Sequence, residues 1–444
     1  MELAGKRAMV IGLGVSGRAA ARLAAARGAR LIMADARADL SREGLPEGEL
    51  RLGTADLAWL DGVALAIASP GVPPSSPLMR AARAAGIHII GELEFGSRFV
   101  GAPIVAVTGT NGKSTVTVMI GEMLRAAGRR VFVGGNLGTP IADAAGGDFA
   151  AAVVEVSSYQ LELIESFHPR VAVHLNLTED HLDRYRDLAE YGRAKARIFE
   201  FQDATDCAVL NRDDPNVWRL AGDARARVFS FGLEPPADPA GGAGAIWPAG
   251  GGLAYRYRDA AGQIDLARFR IGGRHNLANA MAAAAAALAM GAEAPAIERA
   301  LANFKPLAHR LEFVAERGGV SYVDDSKGTN VGAVVEALAA VRPPVILIAG
   351  GVDKGGDYAP LRAALGARGR LAVLIGAARE KLRAALAGAI AIEVASGLGD
   401  AVRIAAERAR PGDTVLLSPA CSSFDQFRDY AERGRVFQEL VRAL

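Results

Sequence analysis

The sequence predicts three consecutive α/β domains, and three observations carry that expectation. Short apolar runs of β type alternate with amphipathic helical stretches, the rhythm of parallel sheets covered by helices. Glycine-rich turns follow several of these runs directly, as they do at the ligand-binding ends of α/β sheets. The chain has 444 residues, too many for one hydrophobic core, and length alone suggests roughly three units of about 150 residues.

Taken in order, residues 7–11 read as a strand, 17–27 as a helix, 30–34 as a second strand and 64–68 as a third. Residues 91–103 read as the link to a second unit, which opens with strand 104–107 and continues with strands 151–156, 171–175 and 207–211. The Pro/Gly/Ala-rich stretch 235–252 reads as a surface loop, and a helix over 276–291 closes the unit. A third unit starts near residue 301, with strands 320–323, 345–349, 371–375 and 414–417. The expected domains are 1–98, 99–300 and 301–444, with no repeat of solenoid period.

Composition narrows the function. Hydrophobic residues at 51% and charged residues at 23% exclude a disordered chain. Lys+Arg 51 against Asp+Glu 49 leaves a net charge of +2, no footprint for nucleic acid or an anionic membrane. The two cysteines, Cys207 and Cys421, make neither a disulfide framework nor a zinc site. The first residues do not read as a signal peptide, and the Ala-rich run 281–290 is too short to span a bilayer. A soluble, monomeric, cytoplasmic protein is expected. Only seven of the basic residues are lysines, and four of these, Lys113, Lys195, Lys327 and Lys354, fall in segments that look chemical on other grounds.

Gly12-Leu-Gly14-Val-Ser-Gly17 follows the first strand and opens a helix, and Asp35 ends the second strand. That is the Rossmann-like fingerprint for a nucleotide, with glycines for the turn, a helix N-terminus for phosphate and an acid for ribose hydroxyls. Alone it suggests an NAD-dependent dehydrogenase. Thr108-Gly109-Thr110-Asn111-Gly112-Lys113-Ser114-Thr115 then follows strand 104–107. It reads as a phosphate loop: backbone N–H groups cradle phosphates, Lys113 reaches the terminal ones and a hydroxyl binds magnesium. It departs from the strict pattern, in which the first glycine would stand at Val107. A dehydrogenase has no use for such a loop, so two nucleotide sites imply ATP-driven chemistry on a nucleotide-bearing substrate.

Glu155 ends the strand beside the loop strand, where a magnesium ligand belongs, with helix capping as the alternative. Asn176-Leu-Thr-Glu-Asp180-His181-Leu-Asp183 closes the next strand with a polar cluster, and His181 is a site candidate. Lys195 by itself reads as a surface lysine, and Asn276 as a possible helix cap. Three strand ends of the third domain are polar: Asp324-Asp325-Ser-Lys327-Gly328-Thr329-Asn330, Gly350-Gly-Val-Asp-Lys354-Gly and the run 418–427 with Cys421, Ser423 and Phe424. Three such ends together read as a site.

These segments, with His309-Arg310 and 273–279, resemble the Mur ligase family over essentially the whole length. The motifs 325–330 and 418–427 are most similar to those members that add D-glutamate, with Gly328 (where alanine is commoner) and Tyr430 (where phenylalanine is usual) as departures. The resemblance implies a Rossmann-like first domain, a P-loop ATPase-like central domain and a Rossmann-like third domain. It implies an ATP-dependent ligase that joins D-glutamate to UDP-N-acetylmuramoyl-L-alanine through an acyl phosphate, in peptidoglycan precursor synthesis. Mg²⁺ would be held by Ser114, Thr115 and Glu155, with His181 on a second ion and Lys195 carbamylated by CO₂. ATP would meet Gly109, Thr110, Asn111, Gly112, Lys113, Asn276, Asn279, Arg310 and Asp325. The UDP-substrate would meet Val15, Ser16, Asp35, Arg37, Ser69, Gly71, Asn136 and Gly138, and D-glutamate would meet Thr329, Lys354, Ser423, Phe424 and Tyr430. Folylpolyglutamate synthases resemble the second and third domains but lack a complete first one.

Overall fold

In the computed structural model, which describes residues 1–237 and 244–444, three parallel-rich sheets succeed one another along the chain. The first contains β1 (Arg7–Ile11), β2 (Arg30–Asp35), β3 (Glu49–Leu52), β4 (Leu65–Ala68) and β5 (His88–Gly91). It is wholly parallel, in the order β3-β2-β1-β4-β5. β1 and β4 are almost continuous apolar runs because helices cover both faces of a parallel sheet.

The second sheet contains β6 (Ile104–Thr108), β7 (Val131–Gly135), β8 (Ala151–Glu155), β9 (Val171–His174), β10 (Cys207–Asn211) and β11 (Arg227–Phe231), then β12 (Gly244–Ala249), β13 (Gly252–Tyr257) and β14 (Ala260–Asp265). Its order is β14-β13-β12-β11-β10-β9-β6-β8-β7, parallel except for the meander β12–β14. The third contains β15 (Glu312–Arg317), β16 (Val320–Asp324), β17 (Val345–Gly350), β18 (Gly369–Ile375), β19 (Ala391–Val394) and β20 (Thr414–Leu417), in the order β15-β16-β20-β17-β18-β19 with only β15 antiparallel.

Two expectations need correction. The stretch 91–103 is more than a link: Glu92–Ser97 is helical and buries Leu93 and Phe95 in the core. Glu94, fully buried, accepts the backbone N–H groups of Glu165 and Ser166, which ties this helix to the central domain. Of the stretch 235–252, read as a loop, 238–243 lie outside the described residues, whereas Gly244–Ala249 forms β12 and Gly252 begins β13.

The chain divides into two compact units. One comprises Met1–Asn176, Gly192–Phe269 and Ala278–Phe304 and holds the first two sheets; the other comprises Leu177–Tyr191, Arg270–Leu277 and Lys305–Leu444 and holds the third. No helix among the described residues is long and apolar enough to cross a membrane.

Candidate nucleotide and amino-acid sites

In the first sheet the strand order reverses between β1 and β4, and ligands of open α/β sheets bind at such switch points. The carboxyl ends of β1, β2 and β4 bring Gly12, Asp35 and Ser69 to this one edge. The helix begins at Val15, earlier than expected, which puts Val15 and Ser16 in its first turn, and Val15 is 67% exposed. A side chain at Gly17 would collide with the Gly12 carbonyl, whereas a Cβ at Gly14 would meet nothing within 4 Å. The first turn carries no acid, so its N–H groups offer an anion seat. Asp35 accepts the Leu13 N–H at 2.7 Å and takes both Nε and Nη2 of Arg37 at 2.9 Å. The Arg37 hydrogen bonds hold its carboxyl down at about 2.

The phosphate loop leaves β6, which lies between β8 and β9, so Val107 pairs with Glu155 and Thr108 with His174. Helix Lys113–Ala126 follows at once, with Gly112 as its cap at φ +86 and Ser114 and Thr115 buried in its first turn. Lys113 Nζ donates to the carbonyls of Gly109 (3.0 Å) and Thr110 (2.8 Å). Lys195 Nζ donates to the same Gly109 carbonyl at 2.9 Å and is 1% exposed, which overturns the surface reading of this lysine. Asn176 brackets the loop: its carbonyl accepts Thr110 N–H, its Oδ1 accepts Asn111 N–H and its amide donates to Asn111 O. Between the lysines' fields lies His174, fully buried, whose ring nitrogens find no partner among the described residues. Burial, then the charges of Lys195 and Lys113, lower it to about 3, so it is neutral.

Glu155 is buried at the end of β8, and its Oε1 accepts the Asn136 amide at 2.7 Å. The capping alternative fails, because Ser157 caps the next helix with Gln160 in a reciprocal capping box. The Asn136 side chain, expected at the UDP-substrate, is engaged with Glu155. The oxygen donors of Glu155, Ser114 and Thr115 suit a hard cation such as Mg²⁺. Lys195 as an ammonium does not, which leaves room for it in a metal site only as a modified side chain. Asn279 packs so closely that a Cβ at Gly112 would strike its Oδ1. Asn276 is no cap either: it lies inside helix Arg274–Ala289 and its amide donates to Gly272 O.

In the third sheet the polar motifs follow β16, β20 and β17, three adjacent strands. Asp325 accepts the Ser418 hydroxyl at 2.6 Å and the Leu311 N–H at 3.3 Å. Burial pushes its carboxyl up to about 7 against the pull of Ser418 and Arg310. Lys354 Nζ reaches Thr329 Oγ1 and Asp180 Oδ1, both at 3.2 Å, and Asn330 donates its amide to Asp180 Oδ2 at 3.2 Å. Local sequence marks Asp180 only as part of a polar cluster; its contacts to Lys354 and Asn330 join it to the residues expected at the amino-acid site. His181 stands at φ +58, its N–H on Asp180 Oδ1 and its ring edge-on to Tyr191. Ser423 is buried, Phe424 is 74% exposed, and the Tyr430 ring carries Lys327 Nζ 3.8 Å from its centroid.

Comparison with known proteins matches all three domains. The Mur ligase MurD-like N-terminal domain fits residues 6–91, the Mur ligase middle domain 107–287, and the Mur ligase glutamate ligase domain 309–421. A UDP-N-acetylmuramoylalanine--D-glutamate ligase of Geobacter metallireducens is 47% identical over 100% of this chain and 99% of its own. One of Anaeromyxobacter dehalogenans is 46% identical over 99% and 98%. Among solved structures, a pseudomurein peptide ligase type C from Methanothermus fervidus aligns with TM-score 0.63 at 20% identity over 99% of this chain and 100% of its own. MurF ligase from Thermotoga maritima in complex with ADP aligns with TM-score 0.61 at 17% identity over 100% and 97%.

Proposed function

The chain belongs to the Mur ligase family, and from that premise we propose how its residues divide the work. It is an ATP-dependent amide ligase that adds D-glutamate to UDP-N-acetylmuramoyl-L-alanine, in peptidoglycan synthesis. The observation that carries the mechanism is the phosphate loop with two lysines on one carbonyl and a buried glutamate on the neighbouring strand.

In this reading residues 1–98 take the UDP moiety, 99–300 the ATP phosphates and 301–444 D-glutamate. The alanine carboxylate attacks the γ-phosphorus of ATP, ADP leaves and an acyl phosphate forms. The D-glutamate amine then attacks the acyl carbon and loses its proton, and phosphate departs. Lys113 and the loop N–H groups hold the phosphoryl oxygens where charge accumulates. Ser114, Thr115 and Glu155 would hold Mg²⁺, which supplies charge neutralisation when bound. Lys195, as a carbamate, would be a further metal ligand, and His181 would hold a second ion. Asn276, Asn279, Arg310 and Asp325 take the nucleoside and phosphate, with Asp325 facing ribose. Val15, Ser16, Asp35, Arg37, Ser69, Gly71 and Gly138 take the UDP-substrate, while Asn136 also orients Glu155. Thr329, Lys354, Ser423, Phe424 and Tyr430 receive D-glutamate. The two buried free thiols suit a reducing cytoplasm. Phosphate release tests the reading: it should require ATP, UDP-N-acetylmuramoyl-L-alanine and D-glutamate together, and release without D-glutamate would overturn it.

A further inference from the structure

One helix holds the working loops of the third domain from behind. Helix Tyr430–Ala443 presents residues 430, 434 and 438, spaced four apart and so on one face, with Arg433 beside them. The Tyr430 carbonyl accepts the Ser326 hydroxyl at 2.8 Å. Gly434 leaves bare backbone where a Cβ would strike His309 Nδ1, and the His309 ring seated there bonds Asp324 at 2.7 Å. Gln438 donates its amide to both Asp324 (2.8 Å) and Glu312 (3.0 Å).

Arg433 makes the link that no other residue of this helix makes among the described residues. Its side chain is 1% exposed, and its Nε donates to Ser326 Oγ at 3.0 Å and its Nη2 to Ser326 O at 2.9 Å. Both Nη atoms also donate to Cys421 O, at 3.4 and 3.3 Å. Every one of these acceptors is a neutral oxygen, and burial lowers the guanidinium to about 10. A buried cation without an ion-pair partner costs stability, which an uncharged side chain such as methionine would avoid. What arginine alone supplies is a rigid fork that reaches two acceptors at once. Ser326 lies in the loop that carries Thr329, and Cys421 in the loop that carries Ser423 and Phe424.

We propose that Arg433 is a positioning residue for the amino-acid site: by bonding Ser326 and Cys421 together, it fixes the spacing of the two loops that receive D-glutamate, without touching D-glutamate itself. The proposal rests on the assignment of D-glutamate to those loops. Arg433→Lys keeps the charge but not the fork. It should raise KM for D-glutamate about tenfold or more while KM for the UDP-substrate stays within about twofold. Guanidinium ion at low concentration should bring the D-glutamate KM of Arg433→Ala back towards wild type. A purely structural residue would lower the active fraction, hence kcat, and leave both KM values alone. If the Arg433 variants do not fold, Ser326→Ala decides, because Arg433 then retains its carbonyl acceptors; a rise of about threefold in the D-glutamate KM alone is expected. An unchanged D-glutamate KM in the folded variants, or an equal rise in both KM values, overturns the proposal. A wild-type enzyme that does not require D-glutamate overturns the assignment beneath it, a separate result.

Discussion

The corners after β1 and β6 are both strand, glycine turn and helix N-terminus, yet they are built differently. The corner after β1 is open: Val15 is 67% exposed, Gly14 faces space, and the Asp35 carboxylate is matched by Arg37. The corner after β6 is closed, with the Nζ atoms of Lys113 and Lys195 on one carbonyl, a buried glutamate on the adjacent strand and a neutral buried histidine on the neighbouring one. A phosphate that is only held needs N–H groups and room. A phosphate that is transferred needs compact positive charge placed where negative charge will grow, away from water.

The largest effect should come from the closed corner. Lys113→Ala should lower kcat by at least a hundredfold, about 3 kcal/mol of lost transition-state stabilisation, while the UDP-substrate still binds. More than about a tenth of the wild-type rate in that variant would make the two corners equivalent and remove the distinction.

Lys195 sharpens the same comparison. If it acts as a carbamate, its positive charge is irrelevant, and Lys195→Arg should be as inactive as Lys195→Ala, by roughly a hundredfold. Bicarbonate or a small carboxylic acid should partly restore the alanine variant by returning carboxylate oxygens to the metal site. An active Lys195→Arg enzyme would falsify the carbamate.

The open corner should respond more weakly and for one ligand only. Asp35→Ala should weaken the UDP-substrate roughly tenfold, in keeping with lost charge-assisted hydrogen bonds, and leave the ATP KM unchanged. Its pH behaviour follows from the Arg37 hydrogen bonds. The folded carboxyl lies at about 2, below its ordinary 3.8, so the stability it contributes is complete above 3.8 and is lost as pH falls through about 2. Binding of the UDP-substrate should therefore show no titration from this group in the neutral range, and a wild-type affinity that falls between pH 5 and 7 in an Asp35-dependent way would contradict it.

The contrast between the corners was partly legible in the sequence, because apolar runs ending in glycine mark both. The central strands could be read as continuous apolar runs for the same reason. Edge strands could not: β3, β14 and β19 alternate or lie largely exposed, and so carry no such run. The helix Glu92–Ser97 escaped because its two acids look solvent-facing, and only the tertiary fold supplies the N–H groups that bury them. Contacts across long stretches of chain were equally hidden. Asp180 to Lys354 and Arg433 to Ser326 join residues 174 and 107 positions apart, which no local spacing can reveal.

The smallest effect tests the room itself. Gly14 has φ −70 and a Cβ there meets nothing within 4 Å, so Gly14→Ala should fold normally and change thermal stability by less than about 0.5 kcal/mol. The methyl group would nevertheless stand on the surface across which a phosphate must approach the helix N-terminus, as the second glycine of such a fingerprint must stay bare. A several-fold rise in KM for the UDP-substrate, with kcat and the ATP KM unchanged, is the expected outcome. The matching change in the closed corner, Gly112→Ala, cannot be so mild, because Gly112 stands at φ +86 and the new Cβ would strike Asn279. That variant should lose stability and ATP affinity together. If Gly14→Ala behaves like Gly112→Ala, losing stability as well as affinity, the first corner is as tightly packed as the second and is no open seat for a held phosphate.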